Sequence, residues 1–169
     1  MATRGLTGSS VRPVERGGAM ATLRCYLPLS PEQLQTLRTD RRLAGPLRAT
    51  TVTRSVRASL PSGDQDEWEY AALQAAAVGL AAEGHPVIVA AVDLVEEAVD
   101  AARPEGPQVR VGDVDLPRVA AIHVGDDVVT GDPSALPGPD EEIELSWYDT
   151  TELGQVIELA DALAEGQRQ

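Results

Sequence analysis

Few side chains in this 169-residue chain can carry acid–base, thiol or metal chemistry, because it has two histidines and one cysteine. His123 stands in an apolar stretch in which alternation places it on one face of a strand. If that face opens to a cleft, His123 is the candidate acid–base residue; if a helix covers it, His123 is a hydrogen-bonded core residue. His85 precedes Pro86 in a predicted turn and is expected at the surface.

Carboxylates and aromatic residues are concentrated in residues 66–70, at the start of a predicted helix. Glu67 or Glu69 there is a candidate general base or metal ligand. The alternative is structural, since acids stabilise a helix N-terminus through the helix dipole and Trp68 can cover the entrance of the helix. Trp68 is also a candidate contact for a ligand or partner.

A second group, Trp147-Tyr148-Asp149, stands where the last predicted strand becomes a helix, a position from which side chains line clefts. Adjacent strand residues point to opposite faces, so Trp147 and Tyr148 cannot both be buried on one side. Either aromatic residue is therefore a candidate contact for a ligand or partner. Asp149 is either a helix cap or a carboxylate that works with His123.

The basic residues are all arginines, and six of them lie in residues 38–57. Arg38, Arg41 and Arg42 are neighbours on a predicted helix through three- and four-residue spacings, which makes them a candidate phosphate clamp. Salt bridges to the excess carboxylates of the chain would use the same arginines. The segment lacks the aromatic and glycine residues of a nucleic-acid motif, and this disfavours nucleic-acid binding.

Several kinds of chemistry are excluded by residue type. Without lysine, the chain has no Schiff-base, phosphate-loop or kinase lysine. It has no Gly-rich phosphate loop and no Gly-x-Ser-x-Gly elbow, and Asp126, Asp127 and Asp132 do not match a calcium loop. Cys25 lies in a predicted strand, away from the helix starts that activate thiols. We therefore predict no metal and no cofactor.

Charge is divided unevenly along the chain. The formal net charge is −13, yet residues 1–60 carry ten arginines against three acids, whereas residues 61–169 carry four against 24. Such polarised charge favours complementary association with a partner or a second copy. Lysine, asparagine and phenylalanine, which have AT-rich codons, are absent, and this indicates a high-GC bacterial gene. A lone thiol is typical of a reducing cytoplasm.

The elements that must position these side chains indicate an α/β protein of the α+β type. Their order favours a single domain, in which a mixed β-sheet of about five to six strands carries three main helices. Apolar alternation predicts strands over 23–27, 49–52, 87–92, 109–111, 121–124 and 143–148. Capping signals predict main helices over 30–41, over 65–83 and after 149, with short ones over 56–60 and 93–103.

The most regular helical pattern covers residues 65–83. Tyr70, Leu73, Ala77 and Leu80 recur there at helical spacing, so we expect all four side chains in the core. The alanines beside them would let the helix lie close against a sheet.

The predicted domain spans residues 20–164. Residues 1–19 lack the apolar segment of a signal peptide and are expected to form a disordered extension. Residues 125–141 are acidic and rich in proline and glycine, which predicts a loop, and residues 165–169 are expected to fray. The longest apolar run, 87–92, has the length of a strand, so no membrane segment is predicted.

Three segments together resemble a known family. They are Arg24-Cys25-Tyr26-Leu27-Pro28, Glu67-Trp68-Glu69-Tyr70-Ala71-Ala72, and Trp147-Tyr148-Asp149 followed by Glu152-Leu153. The chain is similar, over about residues 23–160, to a family of small uncharacterised proteins of high-GC actinobacteria. That resemblance implies a domain of unknown function and carries no substrate, cofactor or catalytic residue.

These observations favour a small, acidic, cytoplasmic bacterial protein that binds a protein partner or a second copy of itself, rather than an enzyme. One alternative is a small enzyme with a pocket at a sheet edge, in which His123 and a carboxylate such as Glu67 or Asp149 act as acid and base. The other alternative is phosphate or nucleic-acid binding through the arginines of 38–57. The position of His123 relative to a cleft and to carboxylates distinguishes the enzyme from the binding protein.

Overall fold

The computed structural model describes residues 21–101 and 106–167, and the predicted extension over 1–19 lies outside these ranges. The strands are β1 (Thr22–Pro28), β2 (Arg42–Leu43), β3 (Leu47–Thr51), β4 (Ile88–Val95), β5 (Val99–Ala101), β6 (Gln108–Val111), β7 (Val114–Asp115), β8 (Val119–Gly125) and β9 (Leu145–Tyr148). The α-helices are α1 (Pro31–Asp40), α2 (Arg54–Ser59), α3 (Gln65–Ala82), α4 (Asp126–Thr130) and α5 (Leu153–Gln167). Short 3-10 turns lie at Glu96–Ala98, Leu116–Arg118, Pro133–Ala135 and Thr150–Glu152.

Seven strands form one sheet in the spatial order β9-β8-β4-β1-β3-β6-β5, and β2 pairs with β7 in a separate ribbon. Every neighbouring pair of strands is antiparallel. The α+β class and the single domain are confirmed, but the predicted count of five to six strands is low and the sheet is not mixed. β5 has only three residues, too few for alternation to reveal it.

The helix predicted over 93–103 does not form in its described part. Asp93 continues β4, and the 3-10 turn Glu96–Ala98 and then β5 follow it. The Asp93 carboxylate does not cap a helix because it binds Arg24 on the neighbouring strand, whose Nε donates to Oδ1 at 2.7 Å. An acid with a glutamate three residues later is therefore a false capping signal here.

The starts of the main helices follow the predicted capping chemistry. Ser30 accepts from the Gln33 amide at 3.1 Å, and the Gln33 side chain accepts from the Ser30 amide at 2.9 Å. Asp64 and Glu67 form the same reciprocal pair before α3. Asp149 begins the 3-10 turn that leads into α5. These pairs satisfy backbone donors that have no partner inside the helix.

Two segments hold more helix than the sequence predicts. Residues 125–141 contain α4 and the turn Pro133–Ala135, because Val128 of α4 is fully buried and orders the segment. α5 continues through Gln167, so residues 165–167 are helical. No helix within the described ranges is long and apolar enough to cross a membrane.

One face of the sheet, here called the closed face, is covered by α1, α4 and α5. Leucines of α1 and branched residues of α5 pack with inward side chains of β1, β4 and β8. The residues of this core that are fully buried include Cys25, Leu34, Leu37, Ile88, Val92, Ile122, Val124, Val128 and Val156. Most of the hydrophobic stabilisation of the fold therefore lies on this side.

The opposite face, here called the open face, is covered mainly by α3. This helix lies across β1, β3 and β4, and Thr50 Oγ1 on β3 donates to the Ala72 carbonyl at 2.6 Å. Alanines of α3 and the sheet residues Ala91 and Ala121 are small and buried together, which permits the close approach. One helix cannot cover seven strands, and parts of β8 and β9 stay accessible.

Tyr70 is the exception in the predicted core stripe of α3. Leu73, Ala77 and Leu80 are buried as expected, whereas Tyr70 is 45% exposed. Its side chain lies at the edge of the stripe and turns toward Glu142, in the segment before β9. The expectation of a core tyrosine is therefore wrong.

Candidate functional site

His123 and Trp147 stand side by side on the uncovered part of the open face. They are directly opposite each other in the antiparallel pair of β8 and β9. His123 alternates with Ile122 and Val124, which point into the closed-face core, and so it points to the open face. Trp147 is 62% exposed, while its neighbour Tyr148 packs against the closed-face core.

These two side chains line a cleft of about 580 Å³, here called the aromatic cleft. Tyr70, Leu73 and Gln74 of α3 form one wall, and residues 143–147 form the other. Asp126 and Glu144 also line the cleft and supply its carboxylates. A volume of this size accommodates a small molecule or a large side chain.

The electrostatic setting of His123 favours its neutral form. Burial lowers the pKa of His123, and the positive charge of Arg24 lowers it further. A carboxylate in ion-pair contact would act in the opposite direction and raise the pKa of the imidazole. The ring is therefore uncharged at neutral pH and can both donate and accept a hydrogen bond.

A bidentate ion pair lies on the same face, between Arg24 of β1 and Asp93 of β4. Arg24 Nε donates to Asp93 Oδ1 at 2.7 Å, and Arg24 Nη2 donates to Oδ2 at 3.2 Å. Tyr26 lies two residues along β1, and burial, then the nearby Glu69 carboxylate, raise its pKa. Both members of the ion pair are partly exposed, so the pair contributes little to the stability of the fold.

A longer groove continues from the aromatic cleft along α3. Its first part has a volume of about 560 Å³ and lies between α3 and residues 139–142, with Leu60 at one side. Its second part, of about 340 Å³, extends to Ala82 and is walled by residues 136–139. We call the two parts together the α3 groove. Tyr70 and Gln74 line both the aromatic cleft and the groove, so the two spaces adjoin.

Gln74 fastens the loop wall of the groove to α3. Its Nε2 donates to the Ile143 carbonyl at 2.8 Å, and its Oε1 accepts from the Ile143 amide at 3.0 Å. One side-chain amide thus satisfies both backbone groups of Ile143, as a neighbouring strand would. These two hydrogen bonds hold this part of the loop wall against α3.

Apolar exposure is concentrated around these two spaces. In the part of the chain that the structure describes, four large hydrophobic residues are more than a third exposed: Leu60 at 39%, Tyr70 at 45%, Val78 at 38% and Trp147 at 62%. Leu60, Tyr70 and Val78 line the α3 groove, and Tyr70 and Trp147 line the aromatic cleft. Clustered exposure of this kind marks an interaction surface.

The charged lining of both spaces is acidic throughout the described residues. The carboxylates are Asp66, Glu67, Asp140, Glu141 and Glu142 in the groove, with Asp126 and Glu144 in the cleft. Burial and the adjacent Glu142 carboxylate raise the pKa of Tyr70, which keeps its hydroxyl protonated. The surface therefore combines apolar contact area with negative potential.

Neither of the two carboxylates that the sequence suggests as partners of His123 lines the aromatic cleft. Glu67 Oε1 accepts from the Asp64 amide at 3.2 Å, and it lines the α3 groove rather than the cleft. Asp149 accepts from the Thr150 amide at 2.8 Å as a cap. Both carboxylates thus have structural roles.

Trp68 also makes local contacts. Its Nε1 donates to the Leu60 carbonyl at 2.9 Å, and the Arg57 guanidinium lies 5.7 Å from its ring centroid. The indole therefore joins α2 to α3 and covers the start of α3.

The three arginines of the candidate phosphate clamp do not lie on one helix, although their spacing predicts it, because α1 ends at Asp40 and Arg42 belongs to β2. Arg42 binds Asp113 and also lies 3.6 Å from Asp115. Arg38 packs beside Gly154 of α5. Arg41 is an exposed C-cap of α1 with a left-handed φ of 60°. Farther along the basic segment, Arg48 pairs with Glu83 at 3.3 Å.

The site residues that the sequence analysis missed include Arg24, Asp93 and Gln74, as well as Val78, Asp140 and Glu144 of the groove and cleft. Alternation with Cys25 could have placed Arg24 on the open face, but its partner depends on the register of β1 against β4. Among the described residues, no group of three or more His, Cys, Asp or Glu side chains is placed to hold a metal ion.

The fold and the site together define a small α+β domain with an acid-lined surface groove beside a single helix. The chain belongs to a family of unknown function (DUF6912), whose model matches residues 23–157. No curated protein and no solved structure matches the chain.

Proposed function

We propose that this protein binds a basic, apolar segment of another protein in the α3 groove. The observation that carries the proposal is the coincidence of two properties in one place. Leu60, Tyr70 and Val78 are exposed along the groove, and the charged side chains that line it in the described part of the chain are all acidic. A partner with apolar anchors and flanking arginines or lysines matches both properties.

The length of the groove supports a short peptide segment as the occupant. Its helical wall runs from Asp66 to Ala82, which at 1.5 Å per residue is about 24 Å. That span matches about four turns of a helix or about seven residues of an extended chain. Helix-in-groove and extended-peptide recognition both use surfaces of this kind.

Charge favours a different protein over a second copy of this chain. The chain carries a formal net charge of −13, so two copies repel each other. Within the basic segment, Arg42 and Arg48 are already paired with carboxylates of the same chain. From this segment, a second copy could therefore offer the groove only the other exposed arginines, such as Arg41 and Arg54.

Binding is better supported than acid–base catalysis. Neither Glu67 nor Asp149 lines the cleft with His123. Asp126 and Glu144 do line it, but burial and Arg24 lower the pKa of His123, as expected for an imidazole without a carboxylate in ion-pair contact. General acid–base catalysis needs groups within hydrogen-bond reach of one reacting position. The lining of the cleft and groove supports recognition of a cationic, apolar partner more directly.

The origin and compartment of the protein are part of the same proposal. The absence of lysine, asparagine and phenylalanine supports a high-GC bacterial source, and the resemblance to the family implies that the source is an actinobacterium. A single cysteine that is fully buried supports a reducing cytoplasm, where structural disulfides are rare.

Selection of peptides from a phage-displayed library of random 12-residue sequences tests the binding function. We expect the enriched peptides to combine arginine or lysine with apolar residues. Asp140→Arg should weaken their binding by roughly ten-fold or more, because it places a positive charge in the groove. Val78→Ser should weaken it through loss of apolar contact.

Asp161→Arg is the matched control, because Asp161 is an exposed aspartate on α5 and the charge change is identical. It should leave peptide binding unchanged. The absence of enriched peptides, or peptides that bind Asp140→Arg as tightly as the parent, would contradict the proposal. A molar mass in light scattering that doubles with concentration, and that Asp140→Arg abolishes, would assign the groove to a second copy instead.

A further inference from the structure

We infer that the aromatic cleft receives the cationic end of an arginine or lysine side chain from the bound segment. The inference rests on the proposed function, because it assumes that a segment bound in the α3 groove reaches the cleft. The two spaces adjoin at Tyr70 and Gln74. The inference specifies which chemical group the partner presents at this end of the groove. The groove supplies apolar contact, and the cleft supplies the position that recognises charge.

The aromatic walls of the cleft are available to a ligand. Trp147 is 62% exposed and Tyr70 is 45% exposed, so neither ring is buried in the core. Both rings line the same cleft. Exposed aromatic rings that share a concave surface provide π faces on which a cation can stack.

The charge of the cleft selects a cation over an anion. Glu144 and Asp126 line the cleft, and no arginine of the described chain does. His123 adds no positive charge at neutral pH, because burial and Arg24 keep it neutral. An anionic ligand would face two carboxylates, and Arg24, the arginine that acts on His123, is already paired with Asp93. A guanidinium or ammonium group is attracted to both carboxylates.

A guanidinium fits the combination of groups better than a compact metal ion. It stacks on aromatic faces and donates up to five hydrogen bonds, in a fork that matches a carboxylate. The cleft offers a tryptophan, a tyrosine and two separate carboxylates, and it is about 580 Å³ in volume. The aliphatic stem of the side chain would lie beside Leu73 and Leu145, which also line the cleft.

A nuclear magnetic resonance titration with N-acetyl-arginine amide tests the cleft directly. We expect the indole N–H resonance of Trp147 to shift in the millimolar range of ligand, and less so as salt is added. N-acetyl-citrulline amide has nearly the same shape without the charge, and it should bind roughly ten-fold more weakly. The indole of Trp68 is an internal control, because its Nε1 already donates to the Leu60 carbonyl at 2.9 Å.

Variants separate the cleft from the groove. Trp147→Phe and Glu144→Gln should each weaken binding of the arginine amide, followed through the backbone amide resonances of β8 and β9 because Trp147→Phe removes the indole. Val78→Ser should not weaken it, because Val78 lines only the groove. Equal shifts with the arginine and citrulline amides, or shifts that survive Glu144→Gln unchanged, would overturn the inference.

The outcomes also distinguish the two proposals. If selected peptides bind the groove but are insensitive to Trp147→Phe and Glu144→Gln, the binding function stands and the cleft inference fails. If no peptide binds but the arginine amide shifts Trp147, the cleft is a cation site and the groove proposal fails.

Discussion

The two faces of the seven-stranded sheet are covered in different ways, and their chemistry differs accordingly. On the closed face, α1, α4 and α5 bury branched and leucine side chains completely. On the open face, α3 approaches through alanines and leaves the edge near β8 and β9 accessible. Most of the core packing thus lies on one side of the sheet and the accessible spaces on the other, so we expect stability and the proposed binding to be perturbed separately.

The largest loss of stability is expected on the closed face. Leu34 of α1 is fully buried there, and Leu34→Ala should lower the free energy of unfolding by about 2–5 kcal/mol through lost burial and a residual cavity. Urea denaturation followed by circular dichroism measures the change. The folded variant should still bind groove peptides like the parent, and a loss of less than about 1 kcal/mol would contradict the assignment of stability to this face.

A smaller, pH-dependent change is expected at Asp127, where β8 passes into α4. Its carboxylate is 3% exposed, Oδ2 accepts from the Val87 amide at 3.2 Å, and Oδ1 has no hydrogen-bond partner. Burial raises the pKa of Asp127, so the folded state binds a proton more readily than the unfolded chain. The parent therefore loses stability as the pH rises from the ordinary value of about 3.9 through the raised pKa.

Asp127→Asn removes the buried charge and should raise the free energy of unfolding at pH 7 by roughly 1 kcal/mol. That advantage should shrink as the pH is lowered toward 4, because the parent carboxyl then becomes neutral as well. Denaturation of both proteins at several pH values measures it, with the exposed Asp140→Asn as control. An advantage that does not change with pH would be evidence against this account.

The smallest change in stability is expected at the most exposed aromatic residue of the open face. Trp147→Ala should alter the free energy of unfolding by no more than about 0.5 kcal/mol, because the side chain is 62% exposed. The same variant should also lose the response of the backbone amide resonances of β8 and β9 to the arginine amide. A loss of stability above about 2 kcal/mol would instead make Trp147 part of the core and remove the contrast between the faces.

Much of the fold can be predicted from local patterns. The starts of α1 and α3 can be predicted because two side chains three residues apart accept hydrogen bonds from backbone amides at the helix N-terminus. Such a short-range pair is recognised directly from the sequence. Asp93 shows the limit, because its pattern resembles a cap while its real partner, Arg24, is 69 residues away. Strand register decides that contact, and register is set by the whole sheet.

The candidate site was predictable only in part. Alternation correctly indicates that Trp147 and Tyr148 point to opposite faces, but it does not tell which face a helix covers. Tyr70 fits a helical core stripe and yet lies at its exposed edge. The groove itself depends on where residues 136–142 pass beside α3, and that path is held by the bond between Gln74 and Ile143.

That single amide contact has a consequence for how the surface can change over evolution. One wall of the groove is a helix whose inner side is committed to the core, while the other is a loop held to it by Gln74. Loops accept substitutions and length changes more readily than packed elements. We therefore expect related chains to change the proposed partner preference through substitutions and length changes in the loop wall. The residues of α3, the sheet and the closed-face core should vary less.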